Sequence, residues 1–180
     1  MIRNSKYLLS YVMAIFFCGL GIFLDQFTKY LAVRYLKPIG NYPLIPGVFS
    51  LQYLENRGAA FGIMQGQKPF LITMTILILL VVGWIYFKMP HTKRFYPLRL
   101  VSILLVAGAV GNLIDRIRLR FVVDFFFFEL INFPVFNVAD IFVVVACILF
   151  VIVILFYYKD HELNFLKKSK KKNNVDSSKE

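Results

Sequence analysis

The sequence predicts an all-α membrane protein with a small β element, built on four transmembrane helices. Three observations predict it. The 180 residues are 59% hydrophobic and 17% aromatic, with mean hydropathy +0.68, which is more apolar surface than a water-soluble chain of this length can bury. Four apolar segments, about residues 7–24, 70–87, 98–115 and 138–158, approach the ~20 residues a helix needs to cross the hydrocarbon core. Between the first two, VFSLQYLEN (residues 48–56) alternates in the manner of a short strand.

The first span follows Lys6 and ends at Asp25. Its length, and the lack of a small-residue cleavage site at its end, make it a retained helix rather than a leader. The second lies between Lys68 and Lys88. The third carries AGAVG (residues 107–111), small residues that suit close helix contact in lipid. The fourth follows Pro134 and stops before Lys159, so residues 1–160 form one membrane domain and residues 161–180 a basic, disordered tail. No internal repeat relates the two halves, which argues against an inverted-repeat transporter.

Four spans place both termini and the loop 88–99 on one side, with 13 Lys and Arg there against eight on the other. That bias predicts cytoplasmic N and C termini. The net charge of +11 would suit nucleic acid, but much of it lies in KKSKKKNNVDSSKE, a juxtamembrane segment that favours an anionic leaflet instead. Cys18 and Cys147 sit inside apolar runs and give no metal-ligand spacing; they read as small buried hydrophobes.

The acids carry more information. Outside the tail they are Asp25, Glu55, Asp115, Asp124, Glu129 and Asp140. In the four-span arrangement Asp25 ends the first helix, Asp115 ends the third, Asp140 begins the fourth, and Asp124 lies in the short connection between the last two. Four aspartates therefore converge on one membrane face. In DQFTK, Asp25 and Lys29 are spaced i, i+4, either as a plain ion pair or as support for a site. In NRGAAFG (residues 56–62), Asn56 and Gly58 open a small-residue segment that lets backbone approach a ligand or simply turns the chain. In GNLIDR (residues 111–116), Asn112, Asp115 and Arg116 form either a structural hydrogen-bond cluster or functional groups. In FNVAD (residues 136–140), Asn137 can cap the fourth helix, with Asp140 near its positive end.

Asp124, in FVVDFFFF, has no such role. Two carboxylates close together in a dry setting share one proton, because both cannot ionise cheaply. That is the arrangement of an aspartyl protease: the ionised one takes a proton from water and the protonated one polarises the scissile carbonyl. A proton-linked transporter and a non-catalytic membrane scaffold remain competing readings. Ionisable groups gathered at one face fit conduction poorly. There is no HExxH pattern, and His91 and His161 fall on the opposite side, so neither metal nor cofactor is expected.

Taken in order, DQFTK, ENRGAAFG, GAVGNLIDR, VVDF and FNVAD resemble the lipoprotein signal peptidase (signal peptidase II) family, over about residues 20–145. The resemblance implies an intramembrane aspartic endopeptidase of the bacterial cytoplasmic membrane. Its site would be at the extracytoplasmic face, flanked by a β-cradle and a short loop helix. The implied partner is a diacylglyceryl prolipoprotein, cut just before the lipid-bearing cysteine without a covalent enzyme intermediate. By motif position Asp124 and Asp140 would be catalytic. Asp25, Asn56, Asn112, Asp115, Arg116 and Asn137 would support the pair or hold substrate, joined by Lys29 and Gly58 of the same motifs. Ala107 stands where the family often has glycine. The connection from Asp124 to Asp140 is shorter than in many relatives and rich in Phe.

Overall fold

A computed structural model of the chain describes residues 2–58, 66–159 and 161–163. Helix α1 (Ile2–Leu31) continues into one wider, π-helical turn at Ala32–Leu36. Strands β1 (Asn41–Ile45) and β2 (Phe49–Asn56) follow. After them come α2 (Lys68–Lys88), α3 (Tyr96–Arg118), β3 (Val122–Phe127) and α4 (Val138–Ile152), the last extended by a π-helical turn at Val153–Tyr157. Among the described residues, four stretches are helical, long and apolar enough to cross a membrane: Leu8–Leu36, Lys68–Lys88, Lys93–Arg118 and Val138–Tyr157.

Helix α3 is central and packs on α1, α2 and α4. The AGAVG stretch explains how it approaches them. A Cβ on Gly108 would lie 2.4 Å from the backbone oxygen of Ala139, and one on Gly111 would lie 2.5 Å from Oδ2 of Asp25. Both positions admit glycine alone without a shift of neighbouring atoms. Ala107 is buried where α3 meets Gly21 of α1.

The boundaries differ from expectation in three places. Helix α1 does not end at Asp25 but runs on to Leu31, because Lys29 one turn later neutralises that carboxylate at 2.9 Å. Asp115 lies one turn inside α3, which ends at Arg118. Arg99, assigned to a loop, is buried in the first turn of α3, since Pro97 starts that helix early. Its Nη2 donates to the Met89 carbonyl at 2.9 Å and its guanidinium covers the Tyr86 ring.

The three strands form an antiparallel sheet in the order β1-β2-β3. Gly47, with φ +72°, makes the turn between β1 and β2. Strand β3 arises from FVVDFFFF, placed from sequence only in the connection between the last two spans. Its β-branched and aromatic residues suit a half-covered pleated surface, and β2 supplies the pairing partner. The β2–β3 register shifts by one residue between Leu51 and Leu54. A one-residue shift exchanges the two faces of a strand. Beyond it, Val123 and Phe125 pack into a cluster with Ala32 and Leu36, whereas Val122 and Asp124 face the cavity described below. The expected loop helix and most of the basic tail lie outside the described residues.

Candidate active site

Asp124 is delivered by β3, Asn56 by the end of β2, Asn112, Asp115 and Arg116 by α3, and Asn137 and Asp140 by the start of α4. Asn137 caps α4: its Oδ1 accepts from the Asp140 N–H at 3.0 Å, and its own N–H donates to Oδ2 of Asp140 at 3.1 Å. This reciprocal capping box fixes the Asp140 carboxylate at the positive end of the helix.

Every oxygen of both aspartates accepts an N–H. On Asp124, Oδ1 takes Asn137 Nδ2 at 2.6 Å and Oδ2 takes Asn56 Nδ2 at 2.9 Å. On Asp140, Oδ1 takes Asn112 Nδ2 at 2.8 Å and Oδ2 takes the Asn137 N–H. The orientation of all three amides follows from what holds their oxygens. Asn112 Oδ1 faces the Lys29 ammonium at 2.9 Å, Asn137 Oδ1 faces the Asp140 N–H, and Asn56 Oδ1 faces the Gly58 N–H at 2.9 Å. Ammonium and backbone N–H groups only donate, so each NH2 must turn toward a carboxylate.

Behind this layer lies a second polar group. Lys29 is 3% exposed and reaches Asp25 and Asp115, each at 2.9 Å. Asp25 also accepts the Ala139 N–H at 2.9 Å, and Asp115 accepts the Val123 N–H at 3.2 Å, tying α1 and α3 to the residues beside the dyad. Arg116 donates to the Gly58 carbonyl at 3.2 Å and lies in the field of Asp140 and Asp124. All ten residues singled out from the sequence thus fall in one connected cluster. Gln26, adjacent to Asp25 in DQFTK, is part of it and was missed: its Nε2 donates to Asp115 at 3.0 Å and to the Gly111 carbonyl at 3.2 Å. Its one signal was its place in DQFTK beside Asp25, because the expected span ended before it. The two remaining acids do not join; Glu55 pairs with Lys37, and Glu129 accepts from the Gly47 N–H.

Asp124, Asp140, Asn56, Asn112 and Arg116 line a cavity of about 420 Å³ whose other walls are apolar, including Phe133, Phe136, Ile141 and Val144. Burial, and next the neighbouring Asp140 carboxylate, push the Asp124 carboxyl up to about 7. The site can therefore hold a proton on Asp124 at neutral pH beside a second carboxyl group. No group of three or more His, Cys, Asp and Glu among the described residues is arranged to bind a metal ion.

A family model described as "Signal peptidase (SPase) II" matches residues 17–156. A lipoprotein signal peptidase of Caldanaerobacter subterraneus subsp. tengcongensis is 49% identical over 139 residues, covering 76% of this chain and 92% of the relative. One from Clostridium tetani is 42% identical over 147 residues, covering 79% and 92%. A solved structure titled a bacterial membrane enzyme, obtained by the in meso method at 1.9 Å resolution, superposes with TM-score 0.69 and 32% identity. It covers 81% of this chain and 94% of its own. The motif order, the four-helix frame with its small sheet and these matches together make the chain a member of the signal peptidase II family of peptidases.

Proposed function

We propose that the chain removes signal peptides from prolipoproteins, with Asp124 and Asp140 as its catalytic pair, cutting the bond before a diacylglyceryl-modified cysteine. The family membership carries the activity. The observation that carries the residue assignment is that both carboxylates face one cavity, each with both oxygens held by N–H donors aimed by third parties. Asp140, stabilised at the head of α4, takes a proton from water as the oxygen attacks the scissile carbonyl. Asp124, whose carboxyl is pushed up to about 7, donates its proton to that carbonyl oxygen. Collapse of the tetrahedral intermediate returns the proton to Asp124 and passes the one on Asp140 to the leaving cysteine nitrogen. Water supplies both new groups, so no covalent enzyme intermediate forms.

The remaining residues position this pair. Lys29 and Asn112 orient Asp140, Asn56 and Asn137 orient Asp124, and Asp25 with Asp115 hold Lys29. Arg116, which lines the cavity, holds the Gly58 carbonyl and with it the start of the small-residue segment beside the pair. The distribution of Lys and Arg supports cytoplasmic termini, which sets the sheet and the dyad at the extracytoplasmic face of a bacterial cytoplasmic membrane. Residues 1–160 are the catalytic membrane domain, and the lysine-rich tail lies against anionic lipid rather than nucleic acid.

The test is cleavage of a diacylglyceryl prolipoprotein by Asp124→Asn and Asp140→Asn enzymes, read by the mobility of the product. Each loses at least about 100-fold in kcat, the low end of what a positioned acid or base supplies. Wild-type cleavage by either folded variant would overturn the assignment.

A further inference from the structure

The dyad cavity adjoins a second compartment of different chemistry. The two share Asn56, Phe133, Pro134 and Val135 in their linings. The dyad cavity is walled by Ile141, Val144 and Val145 of α4, a membrane-span helix. The second compartment, about 600 Å³, is lined by Gln52, Glu55, Arg57 and Asn132. Asn56 stands at the seam, with its amide on Asp124.

A prolipoprotein is asymmetric about the bond that is cut: an apolar signal helix precedes it and a polar chain follows. An extended chain leaving hydrocarbon needs partners for its backbone groups, and an apolar wall offers none. Gln52 and Asn132 offer both donors and acceptors. The charges of the groove are unequal. Glu55 is engaged by Lys37 at 3.0 Å and by the Tyr53 hydroxyl at 3.3 Å, whereas Arg57 lies farther off at 3.7 Å with its side chain 69% exposed. Lys37, outside the lining, holds Glu55, so Arg57 is the charged lining residue left more weakly engaged.

We propose that this compartment receives the polypeptide just downstream of the lipidated cysteine, and that Arg57 makes it favour acidic residues there and disfavour basic ones. The inference rests on the peptidase reading above. Arg57 follows Asn56 directly, and an extended substrate advances ~3.3 Å per residue, so the first few residues after the cysteine are the ones it meets.

The experiment uses the full chain in neutral detergent with two diacylglyceryl prolipopeptides that differ only in carrying Glu-Glu or Lys-Lys after the cysteine. The Glu-Glu substrate is expected to have roughly a three- to tenfold higher kcat/KM, as one partly exposed charge can supply. About 1 M salt should bring the ratio toward one. Arg57→Glu should invert the preference, and Glu55→Gln should widen it. Efficient but equal cleavage of both substrates overturns the inference, and so does an Arg57→Glu enzyme slowed equally on both, which assigns the arginine to a lipid headgroup or to folding. Failure of the wild-type enzyme to cut either substrate overturns the peptidase reading itself and the inference with it.

Discussion

Lys29 touches neither member of the dyad, yet with the Asn137 amide, which donates to the same oxygen at 3.1 Å, it sets which way the Asn112 amide points. Its ammonium also offsets two buried carboxylates, Asp25 and Asp115. Replacing it with Met leaves both without their cation, a situation that costs about 3–5 kcal/mol in other proteins. Thermal unfolding in detergent should fall accordingly, and Asn112, left with only the Asn137 amide on its oxygen, should present its NH2 less steadily to Asp140. The Asp124 carboxyl makes a second prediction. Its proton is held up to about 7, so kcat/KM should fall through a one-proton limb near that pH as the solution is made more alkaline. The same shift acts on stability. Between the ordinary value of 3.8 and about 7 the folded state binds more proton than the unfolded chain, so stability falls as pH rises across that window. Asp124→Asn removes this dependence and should gain on the wild type in unfolding temperature as pH rises from about 4 to about 8. A parallel pair of unfolding curves would count against the raised carboxyl.

At the scale of the elements, the α3–α4 contact is the tightest test of packing. Gly108→Ala sets a methyl group 2.4 Å from the Ala139 backbone oxygen, in the turn that carries Asp140. Overpacking of this kind costs about 1–3 kcal/mol, and the unfolding temperature should drop by several degrees. Gly83→Ala, on α2 with open space around it, should leave that temperature unchanged. The elements also show what the sequence made legible. Helices were readable because lipid imposes a length and a composition, and the α4 cap was readable because Asn137 and Asp140 stand at capping-box spacing. The length of α1 was hidden: Asp25 looked like a boundary until its partners on α3 were in place. Strand β3 was hidden because VVDFFFF has no alternation, and only β2 and the Phe136 backbone reveal its pairing. Strand β1 was missed for a related reason, since NYPLI is fully exposed and carries no buried face to leave a pattern.

For the whole molecule, the cluster around Asp124 and Asp140 lies, among the described residues, at one end of the bundle. The opposite end is closed by a cluster of Met89, Phe95, Leu98, Val153 and Tyr158, with Arg94 paired to Glu162 at 2.9 Å beside it. The Arg94 guanidinium holds the Glu162 carboxyl down at about 2, so the pair stays charged throughout the neutral range. Glu162→Gln should therefore leave peptidase activity near its wild-type value, because nothing in that cluster reaches the dyad. The proposed sidedness has a direct check. A cysteine placed at exposed Leu44 on the sheet should react with a membrane-impermeant maleimide added to intact cells, and one placed at Lys93 should react only after permeabilisation. The reverse pattern would invert the topology. The convergence of four aspartates was legible from span counting alone. The sorting of polar groups into a dyad layer and a lysine-centred layer was not, since it depends on rotations of α1 and α3 that spacing leaves open.

Asn137 and Asp140 lie at the start of α4, and α4 is synthesised last of the four helices. In the proposed mechanism half of the catalytic pair, and the amide that orients the other half, enter the membrane only as the final helix is threaded. On that assignment, a chain whose α4 has not yet docked holds Asp124 without the carboxylate and the amide that would complete the pair.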